Sequence, residues 1–418
     1  MELSKRQLAI GCSLMMTAMA LPTAATAAGF ANTAHSATSV GMGGVGTANP
    51  DEPNSNFFNP ASMSYDEDWN LYVGSTFLLP SAQYTSPDGD IQTDAETELF
   101  YPPNFNLSVP LTDELTAGVG LTFPWGLGVA WPSDWHGREN FRSQSLETLN
   151  LNPNVAYQVG DTGLSVAAGV QLMRSALRQE RAAIVRDDTE VDVILGGVGY
   201  GIGGTFGAMY QANEDVTVGL HYRSATGINY EGRAHFSDDV EGTPFESRMV
   251  DQDISTQITM PHVVNAGVGW QLSDPVWLGL DVNYMTWSTY DEVRVEYSEQ
   301  SPEGEPGETE PPTVQEGNWN DAVAVRLGGQ YTLTDALTAR AGLAFDMTPV
   351  PDETVGPSLP DNNRVITSAG VGYGFDAFRA DLGYQYIFVA ERVIDNGNVD
   401  GTYQMSSHVL GLNFGYGF

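Results

Sequence analysis

Fourteen β-rich runs, joined by connections that alternate between short and long, constrain this chain more than any other feature. The runs fall near 69–80, 99–110, 114–124, 144–159, 163–182, 198–212, 215–236, 252–272, 276–297, 320–333, 336–347, 363–375, 377–391 and 402–418. Every second connection is a tight turn built on Asp or Gly, such as Leu111-Thr112-Asp113-Glu114, Gly160-Asp161-Thr162-Gly163 and Ser273-Asp274-Pro275. The others are long: 81–98, 125–143, 183–197, 231–251, 298–319, 348–362 and 392–401. An even strand number with short turns at one end and long loops at the other predicts an all-β fold, a 14-stranded antiparallel transmembrane β-barrel. A soluble sandwich has no reason to keep that asymmetry over thirteen connections.

The final run carries the same message residue by residue. Leu410, Leu412, Phe414, Tyr416 and Phe418 share one face of a strand, and Gly411, Asn413, Gly415 and Gly417 share the other. Such a two-residue period suits a strand with lipid on one side and a lumen on the other. The aromatic end at Phe418 is the kind of signal that barrel assembly machinery reads, so that machinery is an expected partner.

At the other end, Lys5 and Arg6 precede an apolar run from Leu8 to Leu21, and Ala25-Thr26-Ala27 supplies small residues for cleavage. Residues 1–27 read as a secretory signal peptide rather than a membrane helix. The lone cysteine, Cys12, lies inside that run, which excludes disulfides, thiolate catalysis and Cys-ligated metals from the mature chain. Removing Glu2, Lys5 and Arg6 from 17 basic and 53 acidic residues leaves 15 arginines, no lysine and 52 acids, a net charge of −37. That surface repels nucleic acid. It suits salty water, where screening removes most self-repulsion, or divalent cations at a lipopolysaccharide surface.

Residues 28–67 do not alternate. They are rich in Gly, Ala, Ser and Asn and carry Gly29-Phe30, Phe57-Phe58 and Met63, which favours a plug over a polar tail. The expected organisation is a signal peptide at 1–27, an N-terminal hatch at 28–67 and a barrel at 68–418. Gly41-Met42-Gly43-Gly44-Val45-Gly46 has the look of a dinucleotide loop, but no strand precedes it and no βαβ unit follows. Close packing inside a plug explains its glycines better. The six histidines are scattered without metal or triad spacing, so neither catalysis, cofactor nor metal is expected.

Several short motifs resemble the FadL family of outer-membrane long-chain fatty-acid and hydrocarbon transporters. They include the mature start Ala28-Gly29-Phe30, Asn59-Pro60-Ala61, Leu146-Glu147-Thr148-Leu149-Asn150-Leu151-Asn152, Tyr222-Arg223-Ser224, Thr286-Trp287-Ser288, Asn320-Asp321-Ala322, Gly342-Leu343-Ala344-Phe345-Asp346 and Pro360-Asp361-Asn362-Asn363-Arg364. Their order spans essentially the whole mature chain. The resemblance implies a monomeric barrel in the outer membrane, in contact with its lipid and lipopolysaccharide and closed by a hatch. It also implies passive uptake of a hydrophobic ligand. Ligand is caught among the loops, held in an apolar pocket above the hatch, and released sideways through a gap at a kinked third strand.

Phe123-Pro124-Trp125-Gly126 is where that kink would fall, since Pro124 cannot donate to a ladder and Gly126 tolerates unusual backbone. Read without the resemblance, the strand simply ends there. By the same resemblance Asn59, Pro60 and Ala61 form a hatch latch, and Phe30 touches ligand. Arg181 and Arg294 match the family's basic residues for a fatty-acid carboxylate. Alternation further predicts that Val293, Val295 and Tyr297 face lipid and Arg294 faces inward, with Glu292 and Glu296 beside it as an alternative salt-bridge ladder. An alkane or aromatic hydrocarbon needs no cation and is the competing substrate.

Overall fold

The computed structural model describes residues 29–417 except 67, 187–188, 238–248 and 299–311. The expected signal peptide with Cys12, the terminal Phe418 and most of the acidic loop after Ser298 lie outside the described residues. Among those described, fourteen wall strands close on themselves. They are β1 (Asn70–Thr85), β2 (Pro103–Pro110), β3 (Leu115–Ala130), β4 (Ser143–Gln158), β5 (Leu164–Arg186) and β6 (Thr189–Gln211). β7 runs as Val216–Arg223 and Thr226–Phe236, β8 as Gln252–Met260 and Val263–Ser273, and β9 as Val276–Met285 and Glu292–Tyr297. β10 (Ala322–Thr334), β11 (Leu337–Asp346), β12 (Arg364–Phe375), β13 (Phe378–Val389) and β14 (Gly401–Gly417) complete the wall. Each strand pairs antiparallel with the next, and β14 returns to β1 from Asn70↔Gly417 to Thr85↔Thr402. Closure leaves no unpaired sheet edge in the lipid, where an unsatisfied backbone group costs several kcal/mol.

The two-residue period sorts the side chains. On β14, Leu410, Leu412 and Phe414 are exposed, while Val409, Gly411 and Asn413 are buried. Ile202, Phe206, Leu220, Trp270, Leu327 and Leu343 continue the outward apolar band on other strands.

Three expected strands are broken rather than continuous. Pro261 has no N–H for the ladder and interrupts β8, and the facing break in β7 is patched where Ala225 N–H donates to His262 Nδ1 at 3.0 Å. β9 breaks at a 3-10 turn, Trp287–Thr289. The expected long connection 183–197 is instead mostly strand: β5 and β6 run on together to Arg186↔Thr189. That outer hairpin carries charge on its outward face, as in the Arg142–Asp192 pair between β4's approach and β6 at 2.7 Å. It leaves the apolar alternation by which a lipid-facing strand is recognised.

The N-terminal segment fills the lumen. It holds two short helices, α1 (Ala37–Gly41) and α2 (Ser55–Phe58), and a 3-10 turn, Pro60–Tyr65. Ser36 caps α1 by accepting from Thr38 N and Ser39 N. Gly43 and Gly44 have positive φ, which turns the chain back beneath α1, and a Cβ on Gly44 would sit 2.9 Å from the Arg326 guanidinium. The wall makes room in turn: a Cβ on Gly328 would lie 2.3 Å from Met42 O, and one on Gly383 2.3 Å from Ala37 O.

Hatch and wall meet through buried polar groups. Asp281 accepts from Gly46 N and Thr47 N, both at 2.9 Å, and Asn413 Oδ1 accepts from Ala37 N at 2.9 Å. Arg326 donates to Gly43 O and pairs with Asp346 at 2.9 Å. Such bonds hold the plug with direction but little net energy, about 0.5–1.5 kcal/mol each.

Candidate functional site

At the long-loop side of the hatch the lumen turns aromatic. Phe30 is buried, with its ring 4.6 Å from that of Trp287, 5.5 Å from Trp319, 5.6 Å from Tyr290 and 6.4 Å from Trp125. Edge-to-face pairs of this kind add about 0.5–1.5 kcal/mol each beyond area burial. The chain reaches this place because Gly29 is pinned. Gly29 N donates to Asp361 at 3.2 Å, and Arg364, itself paired with Asp361 at 2.5 Å, donates to Gly29 O at 3.2 Å. Gly29 has φ +66, and a Cβ there would meet Trp319 at 2.7 Å. Only glycine fits this position without strain.

Beside Phe30 lies a cavity lined by Leu127, Leu146, Leu177, Ile258, Tyr290, Val293 and Trp319 among others. To a water-sized sphere it offers only ≈70 Å³. Pockets that enclose drug-sized ligands run to about 300–1,000 Å³. A long ligand therefore displaces Phe30 or its neighbours before it is fully enclosed. The cage is also not chemically quiet, because the indole N–H groups of Trp125 and Trp287 are buried without partners among the described residues. Each such donor costs about 1–3 kcal/mol unless something accepts from it.

The third strand does not end at Phe123. β3 continues to Ala130, but its register with β4 slips between Thr122↔Asn150 and Trp125↔Thr148, one extra residue on β3. That is a bulge, which bends the strand that carries it. Six consecutive residues, Thr122 to Leu127, are buried, so the alternation of a wall strand is lost. On its other edge the ladder with β2 stops at Phe105↔Leu121. Beyond it the N-terminal segment takes over as partner: Asn32 N donates to Pro124 O and Gly126 N to Phe30 O, both at 2.8 Å. Phe123, Pro124, Trp125 and Gly126 thus turn inward onto the hatch.

Asn59 lies at the other side of the hatch. Its Nδ2 donates to Thr47 O at 2.9 Å and to Ala208 O on β6 at 3.1 Å, and its Oδ1 accepts from Ala61 N at 3.1 Å. Pro60 opens the 3-10 turn as its first residue. One side chain therefore ties a hatch turn, a hatch loop and the wall.

Within the hatch, Glu52 is 2% exposed, and burial pushes its carboxyl up to about 7 against the opposing pull of Arg379 and Arg340. Raising the folded value favours the protonated form. Its contribution is complete below about 4.5, the ordinary glutamate value, and is lost as pH rises through 7. Stability against thermal unfolding is therefore expected to fall between pH 5 and 8 by up to about 3 kcal/mol, and Glu52→Gln should flatten that dependence. Equal slopes for both proteins would remove Glu52 as the cause.

The two arginines separate. Arg181 is half-buried, pairs in register with Val193, and shares its face of β5 with the cavity-lining Leu177 and Gln179. Arg294 faces the other way. Val293 is buried in the aromatic core and lines the cavity, whereas Arg294, Glu292 and Glu296 are exposed, with Arg294 bound to Glu292 at 2.9 Å. The expected inward orientation is corrected. This part of β9 stands above the lipid band, so the apolar face points into the protein and the charged face into water. The sequence offers Trp287, Asp361 and Arg364 only as members of short motifs, and nothing in it singles out Trp319. Their places in the cage come from strands far apart in sequence.

The comparisons agree with this architecture. The chain is 24% identical to the long-chain fatty acid transport protein of Escherichia coli (strain K12), with both chains covered completely. It is also 24% identical to outer membrane protein P1 of Haemophilus influenzae, over 76% of this chain and 75% of that one. A crystal structure of a Pseudomonas aeruginosa FadL homologue superposes with TM-score 0.83 at 20% identity, over 93% of this chain and 99% of that one. The Ralstonia pickettii toluene transporter TbuX gives 0.72 at 18%, over 92% and 98%. Residues 18–418 match the model of a family described as "Outer membrane protein transport protein (OMPP1/FadL/TodX)". The chain belongs to this family, and is an outer-membrane β-barrel transporter of hydrophobic compounds rather than an enzyme.

Proposed function

We propose that this protein carries hydrophobic molecules passively from its loops, through the aromatic cage around Phe30, to a lateral outlet beside the β3 bulge and so into the membrane. The observation that carries the reading is the pairing of Phe30 and Asn32 with Pro124 and Gly126. The residue that blocks the cavity and the strand that leaves the wall are joined by the same two backbone hydrogen bonds. Movement of the hatch N-terminus thereby clears the cage and uncovers the bulge together. The latch at Asn59 holds the rest of the plug while residues 29–32 move.

Long-chain fatty acids and hydrocarbons are the substrate classes named for the relatives. A carboxylate would need Arg181, since Arg294 points away; a hydrocarbon would need no cation. Phe30→Ala is expected to tighten binding of either by about tenfold, because the ligand no longer has to displace a well-packed ring. Quenching of tryptophan emission on titrating the purified barrel reads this directly. Unchanged affinity would place the ligand elsewhere and defeat the cage reading.

A further inference from the structure

The cavity beside Phe30 has a polar side that the family resemblance does not account for. Gln144 on β4 and Gln179 on β5 are cross-strand partners in register, and both line it together with Gln315. Gln315 comes from the short strand Thr313–Glu316, opposite Val293 of β9. No described residue hydrogen-bonds to these three side-chain amides. Gln179 and Gln315 also line an adjoining, largely apolar cavity that shares Leu177 and Val293 with the first. Gln179 and Gln315 therefore stand where the two cavities adjoin, where the head of an elongated molecule would meet polar atoms.

We propose that Gln144, Gln179 and Gln315 read an uncharged oxygen head group, so that the preferred ligands are long-chain molecules ending in a hydroxyl or carbonyl rather than in a carboxylate. This rests on the cage being the transport site. Two sets of observations bound the class. Free donors call for oxygen: the amides of the half-buried Gln144 and Gln179 and of the exposed Gln315 gain nothing from a pure hydrocarbon. The electrostatics reject an anion. Among the described residues no arginine lines either cavity, and Glu316 is the charged group at the rim of the first. Arg181 lies two residues further out along β5 and lines neither. A mature chain with 52 acids and 15 arginines adds a negative field over the approach. A glutamine amide donates and accepts, so it matches both the oxygen lone pairs and the hydroxyl proton of an alcohol.

The test is tryptophan emission of the full-length barrel titrated at pH 8 with dodecanol, dodecanoate and dodecane. Dodecanol is expected to bind at least tenfold tighter than dodecanoate. Gln179→Leu is expected to lower the dodecanol affinity about tenfold and to leave dodecane unchanged or slightly tighter. Gln315→Leu, in an exposed short strand, repeats the measurement where a folding defect is not at issue. Tightest binding by dodecanoate, with its loss in Arg181→Ala, would establish a carboxylate reader and overturn the proposal. Equal binding of all three ligands, indifferent to the leucine variants, would overturn head-group reading while leaving the transport reading intact. Binding of none would overturn the cage as the transport site, and this proposal with it.

Discussion

Oxidising the double variant Ala31→Cys, Trp125→Cys is expected to stop uptake, and reduction to restore it. Ala31 and Trp125 face each other in an antiparallel bridge. The hydrogen bonds run from Asn32 to Pro124 and from Gly126 to Phe30, so the pair itself is of the non-hydrogen-bonded kind. Such pairs place Cα atoms about 4.5 Å apart, within the span a disulfide accepts. Cys12 is the only cysteine in the sequence and falls in the expected signal peptide, so no other thiol competes. The bond would fasten the hatch N-terminus to the bulged strand and hold Phe30 in the cage. Transport of a labelled hydrophobic ligand into cells should fall by more than tenfold on oxidation. The reduced form of the same variant controls for the missing indole. Full transport with the disulfide quantitatively formed would show that residues 29–32 need not move, and would remove the central step of the proposed route.

The largest stability effect is expected at Asp381, whose carboxylate is fully buried on β13. It accepts from Arg340 at 2.8 Å, from Arg379 at 2.5 Å and from Tyr72 at 3.1 Å. Arg379 also donates to Thr38 of α1 at 2.9 Å, so the cluster joins three wall strands and the hatch. Asp381→Ala would leave two guanidinium groups in the lumen without their anion. Removing one partner of a buried pair typically costs about 3–5 kcal/mol. Asp381→Asn keeps the shape and loses the charge, and should fall short of wild type by a smaller margin. Chemical denaturation of the folded barrel measures both. An alanine variant within about 0.5 kcal/mol of wild type would show that water reaches the cluster and solvates it.

The barrel was legible because a strand in a membrane wall must alternate and must be paired. Leu410, Leu412 and Phe414 on β14, and turns such as Leu111 to Glu114, state both requirements locally. Strand limits were legible only where lipid lies outside. The outer part of the β5–β6 hairpin faces water, its charged residues carry no lipid signal, and it read as a loop. The same physics inverted Arg294. A two-residue period says that Val293 and Arg294 face opposite ways, but not which way is inward. Where lipid gives way to water outside and an apolar cavity lies inside, the two faces exchange roles.

The candidate site divides in the same manner. Phe30, Asn59 and the Phe123 to Gly126 segment were found through short motifs, and Pro124 with Gly126 gave a local physical reason for irregular backbone. What the bulge does was not local. It depends on Asn32 and Phe30, ninety residues earlier, replacing β2 as the partner of β3. The cage likewise joins residues 30, 125, 287 and 319, and the glutamine cluster joins residues 144, 179 and 315. By itself the sequence determined the alternation, the turn chemistry, the strand number and the family, because these follow from neighbours one to four residues apart. Only the tertiary structure decided which side chains share the lumen above the hatch, because closing the barrel and inserting the N-terminal segment bring together groups that no sequence period relates.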